Sequence, residues 1–222
     1  MSDAGRRPIK TRSKGWAQGL ASSLASRGVR PDVISIWGLV FALAGTGALA
    51  AASVLPELPY RWLLLVGAAL FIQLRLLANM LDGLVAVEGG RSGPLGNLFN
   101  EFPDRLEDVM LIVAAGYVAA RSQWPGGEVL GWSAAVLALL VAYVRALAAG
   151  IGGGHPFHGP MAKPQRMFLL TLACLAGAAL ASSGWAEEAV WVGLATMVFG
   201  MLITIPRRLA AVAKTLRQGD QR

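Results

Sequence analysis

Residues Asn79 to Asp108 read NMLDGLVAVEGGRSGPLGNLFNEFPDRLED. Acids, amides, glycines and an arginine stand here in a chain that is otherwise mostly apolar. Asn79 and Asp82 are three apart, and Asn100, Asp104 and Asp108 are spaced by four. If both ends of the stretch are helical, each set falls on one helix face. The glycine-rich link from Glu88 to Gly96 lets the two helices turn back on each other. The stretch is therefore predicted to be a hairpin that gathers polar groups at one point.

The rest of the chain sets where that hairpin sits. Of its 222 residues 55% are hydrophobic and only 15% charged. Such a balance suits an all-α polytopic membrane protein and not a soluble domain of this size. The formal net charge is +7, but most basic residues lie outside the apolar runs. Anionic membrane lipids and membrane orientation explain them better than nucleic acid does. Cys174 is the one cysteine; it lies in an apolar run and is expected to be a buried small residue. No short apolar run with a cleavage site follows Arg6, so a cleavable signal peptide is not expected.

Six transmembrane helices are predicted, near 33–54, 61–87, 96–121, 130–150, 165–183 and 189–205, each close to the roughly 20 residues a span needs. Residues 1–10 read as a disordered tail and residues 206–222 as a basic cytoplasmic tail, leaving 11–205 as one membrane domain. Residues 11–28 read as an amphipathic interfacial helix, with Trp16, Leu20 and Leu24 as its apolar stripe; a solvated tail is the other reading.

Residues 1–30 carry seven Lys or Arg and residues 206–222 carry five. The loops on the opposite side carry Arg61 and Arg121 against Glu57, Glu128, Glu187 and Glu188. That asymmetry places both termini and the hairpin on the cytoplasmic side of a cell inner membrane. Tyr60, Trp62, Trp124, Trp132, Trp185 and Trp191 then form an aromatic belt at the outer interface.

Charged groups inside spans are costly and usually mark function. Arg75, Asn79, Asp82 and Ala86 share a face of the second span, and Asn100, Asp104 and Asp108 form a stripe on the third. Facing each other, the two stripes make a cage of carboxylates and amides. Oxygen ligands of this kind suit a hard cation such as Mg²⁺, Mn²⁺ or Ca²⁺ and not zinc.

The stretch resembles the signature of the CDP-alcohol phosphatidyltransferases, D-x2-D-G-x2-A-R-x8-G-x3-D-x3-D. Laid on the chain without a gap, the signature starts at Asn79 and places Asp82, Gly83, Ala86, Gly96 and Asp104 on their family positions. Arg30 to Ser35 also resembles the proline-containing start of the family's first span. Three positions depart: Asn79 and Asn100 stand for acids, and Val87 for the arginine. In the family the four acids hold two divalent cations and the last acts as base. The resemblance thus implies Asn79, Asp82, Asn100 and Asp104 as ligands of Mg²⁺ or Mn²⁺ and Asp104 as base. In a second register, with a longer spacer, Asp108 takes that role; the gapless register is preferred.

Gly83, Ala86 and Gly96 would leave helix faces bare for a nucleotide. Arg75, Arg91, Arg145, Lys163 and Arg166 are candidates for substrate phosphates, with Lys163 and Arg166 also readable as topology anchors. The competing reading of the hairpin is a salt-bridge cluster in which Arg75, Arg105, Asp82, Asp104, Glu107 and Asp108 neutralise one another. His155 and His158 lack further ligands for a soft metal. Gly150 to Gly154 follows a helix and not a strand, so it is no dinucleotide loop.

The expected function is phospholipid biosynthesis: transfer of a phosphatidyl group from a CDP-activated lipid, CDP-diacylglycerol, to a small alcohol or phospho-alcohol acceptor, with release of CMP. The resemblance also implies a homodimer. The alternatives are a catalytically decayed membrane protein of the same fold and a small ion transporter, which would explain intramembrane acids but not the spacing.

Overall fold

The computed structural model describes residues 15–88, 94–154 and 157–219, with the side chains of 87–88, 94–100 and 219 outside the described set. Those residues form helices and turns: α1 (Gly15–Ser26), α2 (Pro31–Val54), α3 (Arg61–Glu88), α4 (Pro94–Ala119), α5 (Gly127–Gly150), α6 (Lys163–Ala179), a single 3-10 turn (Ala181–Ser183) and α7 (Ala186–Gly219). Pro31 starts α2 from an extended Arg30, and Lys163-Pro164 start α6 in the same way. Proline fits a first helical turn because its missing N–H has no partner there in any case.

Among the described residues α2, α3, α5 and α7 are long and apolar enough to cross a membrane. Four such helices mark a multi-pass membrane protein. The six predicted spans correspond to α2–α7, but α4 and α6 do not meet the same measure. The first part of α4 carries Glu101, Asp104, Arg105, Glu107 and Asp108, and α6 has 17 residues.

α3 packs against α2 on one side and α6 on the other, while α4 packs against α2, α5 and α7. Leu49, Leu65, Ile72, Leu111, Ile112, Leu170, Leu194 and Met201 fill the centre. α4 and α5 touch backbone to backbone at two glycines: a Cβ on Gly116 would lie 2.6 Å from the Gly131 Cα, which no side chain tolerates. Cys174 is buried, as expected.

α1 docks on α3 with Ala17 and Ala21 fully buried, while Trp16 and Leu20 of the expected stripe are exposed. The small residues allow close helix contact, and the large ones point away from the protein. One sequence expectation is corrected: the last helix does not end near Ile205 but runs on through Pro206 for 34 residues in all. Arg208 is drawn inward there, donating from Nε to the His158 carbonyl (3.1 Å) and from Nη1 to the Val141 carbonyl (2.8 Å). These contacts hold the helix past a residue that removes one ladder hydrogen bond.

At the end of the bundle away from the hairpin, Trp124 meets the edges of Trp185 and Trp191 at centroid distances of 6.3 and 5.2 Å. Arg61 pairs with Glu187, and the Gln123 amide donates to Glu188 at 3.0 Å. The start of α3, the α4–α5 loop and the start of α7 are thereby tied together.

Candidate active site

The site forms where α3, α4 and the first turn of α6 converge, with α2 behind. Arg75, Asn79 and Asp82 recur at helical spacing on α3, so one face of that helix carries all three. Asp104, Glu107 and Asp108 do the same on α4. Arg75 is fully buried. Its Nε lies 2.5 Å from Glu107 Oε2 and its Nη2 lies 2.7 Å from Asp108 Oδ1. The same Nη2 donates to the Asp104 carbonyl at 3.1 Å. Arg166 of α6 closes the group, donating from Nη2 to Asp108 Oδ2 at 2.9 Å. A guanidinium offers five donors in a fixed fork, which suits it to bridge several acids in a dry interior.

Asp104 and Asp108 differ in access. The Asp104 side chain keeps 14% of its surface exposed and that of Asp108 keeps 3%. Lys163 Nζ lies 2.5 Å from Asp104 Oδ2. Asp104 Oδ1 accepts from the Asn79 amide, which also reaches Glu107 Oε2 at 3.4 Å. Asn79 therefore turns its N–H₂ to the acids, as two carboxylates require. Its Oδ1 faces α2, 2.9 Å from where a Cβ on Gly38 would sit. In this arrangement the Asn79 amide nitrogen, and not its oxygen, is the atom turned toward Asp104 and Glu107.

Asp82 stands apart. Its Oδ2 accepts from Ser35 of α2 at 2.8 Å. Its Oδ1 is buried with no hydrogen-bond partner. A buried anionic oxygen without a partner is costly, and it is the type of oxygen that a hard divalent cation takes. Among the described residues no group of three or more His, Cys, Asp or Glu is arranged to hold a metal. The donor set thus fits a divalent ion through Asp82, with any further ligands drawn from substrate or water.

The other predicted residues fall as follows. Arg145 pairs with the exposed Glu101 at 2.7 Å, which also holds Arg105 at 2.8 Å. Gly83 is buried and Ala86 is half-buried. Gly96 and Asn100 lie on α4 with their side chains outside the described residues, and Arg91 and His155 lie outside them altogether. Ser35, Gly38 and Glu107 are the contributors that motif spacing did not single out as site residues. Ser35 carried a signal, since it is a hydroxyl one turn after Pro31 in an apolar run; Gly38 carried none.

No family model matches the chain, and no curated protein does. Solved structures do. The phosphatidylinositol phosphate synthase of Mycobacterium tuberculosis, with CDP-DAG bound, superposes with a TM-score of 0.68 and 23% identity over 88% of this chain and 92% of that one. The same enzyme with manganese and citrate gives a TM-score of 0.68 and 23% identity over 88% of each chain. This chain has the synthase fold. The architecture implied by the Asn79–Asp104 signature is therefore present over nearly the whole chain.

Proposed function

We propose that the protein transfers a phosphatidyl group from CDP-diacylglycerol to the hydroxyl of a small alcohol or phospho-alcohol. The acceptor oxygen bonds to the phosphorus that carries the diacylglycerol, the bond from that phosphorus to CMP breaks, and the hydroxyl proton passes to a carboxylate. The observation that carries this reading is Asp82, whose one free carboxylate oxygen is buried beside the acids of α4 in a fold shared with a CDP-lipid enzyme.

Ser35 fixes the Asp82 carboxylate by its hydrogen bond. Asp104, the more exposed acid, takes the acceptor proton; Asp108 is already engaged by Arg75 and Arg166 and orders them. Arg166 keeps Nε and Nη1 buried without partners, the donors that a substrate phosphate would satisfy. Mg²⁺ or Mn²⁺ at Asp82 would offset the charge of the pyrophosphate and improve CMP as a leaving group.

The reading carries with it the six-span topology in a cell inner membrane, an interfacial α1, cytoplasmic termini and a homodimer. Exposed Trp16 and Leu20 support an α1 that lies against lipid. A second reading, a membrane protein that kept the fold and lost the chemistry, is favoured by one observation: Asn79 and Lys163 already satisfy both Asp104 oxygens. Purified protein incubated with CDP-diacylglycerol, Mn²⁺ and a panel of alcohols decides between them. Acceptor-dependent CMP release is expected, and none with any acceptor would leave the second reading standing.

A further inference from the structure

The ion pairs of the site close on themselves with one acid left over. Arg75, Lys163 and Arg166 face Asp104, Glu107 and Asp108, and every one of these six side chains takes part in an ion pair inside the group. Asp82 has no cation within ion-pair distance among the described residues. It is only 2% exposed, and its Oδ1 lacks a partner. A buried carboxylate in that position calls for a positive charge from outside the chain.

Asp104 is in the opposite condition. Lys163 Nζ at 2.5 Å holds Oδ2, and the Asn79 amide holds Oδ1 with Arg75 Nη2 at 3.5 Å. Donors surround this carboxylate, and Asn79 directs its own oxygen away, toward Gly38. An ammonium is a compact point charge on a flexible stem, so Lys163 can stand where a small cation would otherwise sit.

We propose that Lys163 is a tethered counter-cation of Asp104, so that the site takes a single divalent ion per chain, held at Asp82. The proposal rests on the transfer reading only for the class of cation. The amide at position 79 and the lysine at 163 act in one direction: each sets a donor or a positive charge against Asp104. Mg²⁺ and Mn²⁺ bind through one or two carboxylates plus substrate phosphates and water, so a single carboxylate suffices for one such ion.

Mn²⁺ titration of the purified full chain in detergent, with free aquo-Mn²⁺ read by electron paramagnetic resonance, tests this without any turnover. The wild type is expected to bind one ion per chain. Asp82→Asn should abolish binding, and Asp104→Asn should keep the one-ion stoichiometry. Lys163→Met, which frees Asp104 as a ligand, should tighten Mn²⁺ binding by about tenfold, the scale of other changes around metal ligands. Lys163→Gln repeats the measurement should the methionine variant not fold. Two ions, or none, in the wild type would overturn the proposal. So would loss of binding in Asp104→Asn, or unchanged or weaker binding without Lys163. CMP release is scored separately. One bound ion without CMP release sinks the transfer reading alone; CMP release with two bound ions sinks the lysine proposal alone.

Discussion

Arg75 of α3 and Glu107 of α4 meet at 2.5 Å, with side-chain exposures of 0% and 2%. Between them these residues weld the two halves of the hairpin. Removing the arginine leaves Glu107 and Asp108 facing each other in a dry interior. Breaking a buried pair from one side costs about 3–5 kcal/mol. Arg75→Met is accordingly expected to destabilise the fold by that amount, and Glu107→Gln by less, because it relieves one of the charges. Denaturant unfolding in mixed micelles measures both; trivial losses would show that the pair contributes little, and equal losses would refute the relief of charge.

Asp82 and Asn79 should separate into two kinds of defect. Asp82→Asn removes the charge that faces an incoming cation, and CMP release is expected to be lost, as it is on chelation, with little loss of stability. Asn79→Ala removes a donor from Asp104 and Glu107 and should cost about 1–3 kcal/mol of stability, as other unsatisfied buried groups do. Matching profiles for the two variants would refute the division of roles.

Chelation gives the third expectation. EDTA should abolish CMP release, and added Mn²⁺ should restore it. Full activity in EDTA would mean that Arg166 and Lys163 suffice for the pyrophosphate.

Restoring the family acids tests whether the amides serve the site. Asn79→Asp with Asn100→Asp puts a new carboxylate beside Asp104 and Glu107, where an amide donor now sits. The expected outcome is tighter Mn²⁺ binding with no gain in CMP release. Activity that appears only in the double variant would identify the wild type as a chain that has lost its chemistry.

The glycine contact of α4 and α5 makes a packing prediction. Gly116→Ala drives a methyl into the Gly131 backbone, and overpacking of this sort costs about 1–3 kcal/mol. Thermal unfolding in detergent should show the loss; Gly47→Ala, where nothing lies within 4 Å, should show none.

Much of the fold was legible because hydropathy marks a buried helix almost regardless of what it packs against. The predicted starts at Arg61, near Gly96 and near Leu130 fall within a few residues of α3, α4 and α5. The length of the last helix was not legible: it runs on through Pro206, and the carbonyls that receive Arg208 are remote in sequence. For the candidate site, spacing singled out Asp82 and Asp104 as positions but could not give their pairings. Spacing within a helix says which side chains share a face, but not that Ser35 would reach Asp82 or that Asn79 would present nitrogen. Those depend on how α2 sits behind α3, and a glycine at 38 allows it.

The meeting of Gly116 and Gly131 has a consequence for where damage to this protein can originate. Two backbones in direct touch work as a gauge block: they fix a length with nothing compressible between them. Asp108 lies about 12 Å up the same rod, at 1.5 Å per residue. Any shim inserted at the glycines pushes α4 sideways from α5, and a stiff helix carries that tilt toward the acids. The spacing between the carboxylates of α4 and the arginine of α3 is thus calibrated from deep in the bundle, and a lesion there would register at the far end as a fault of chemistry.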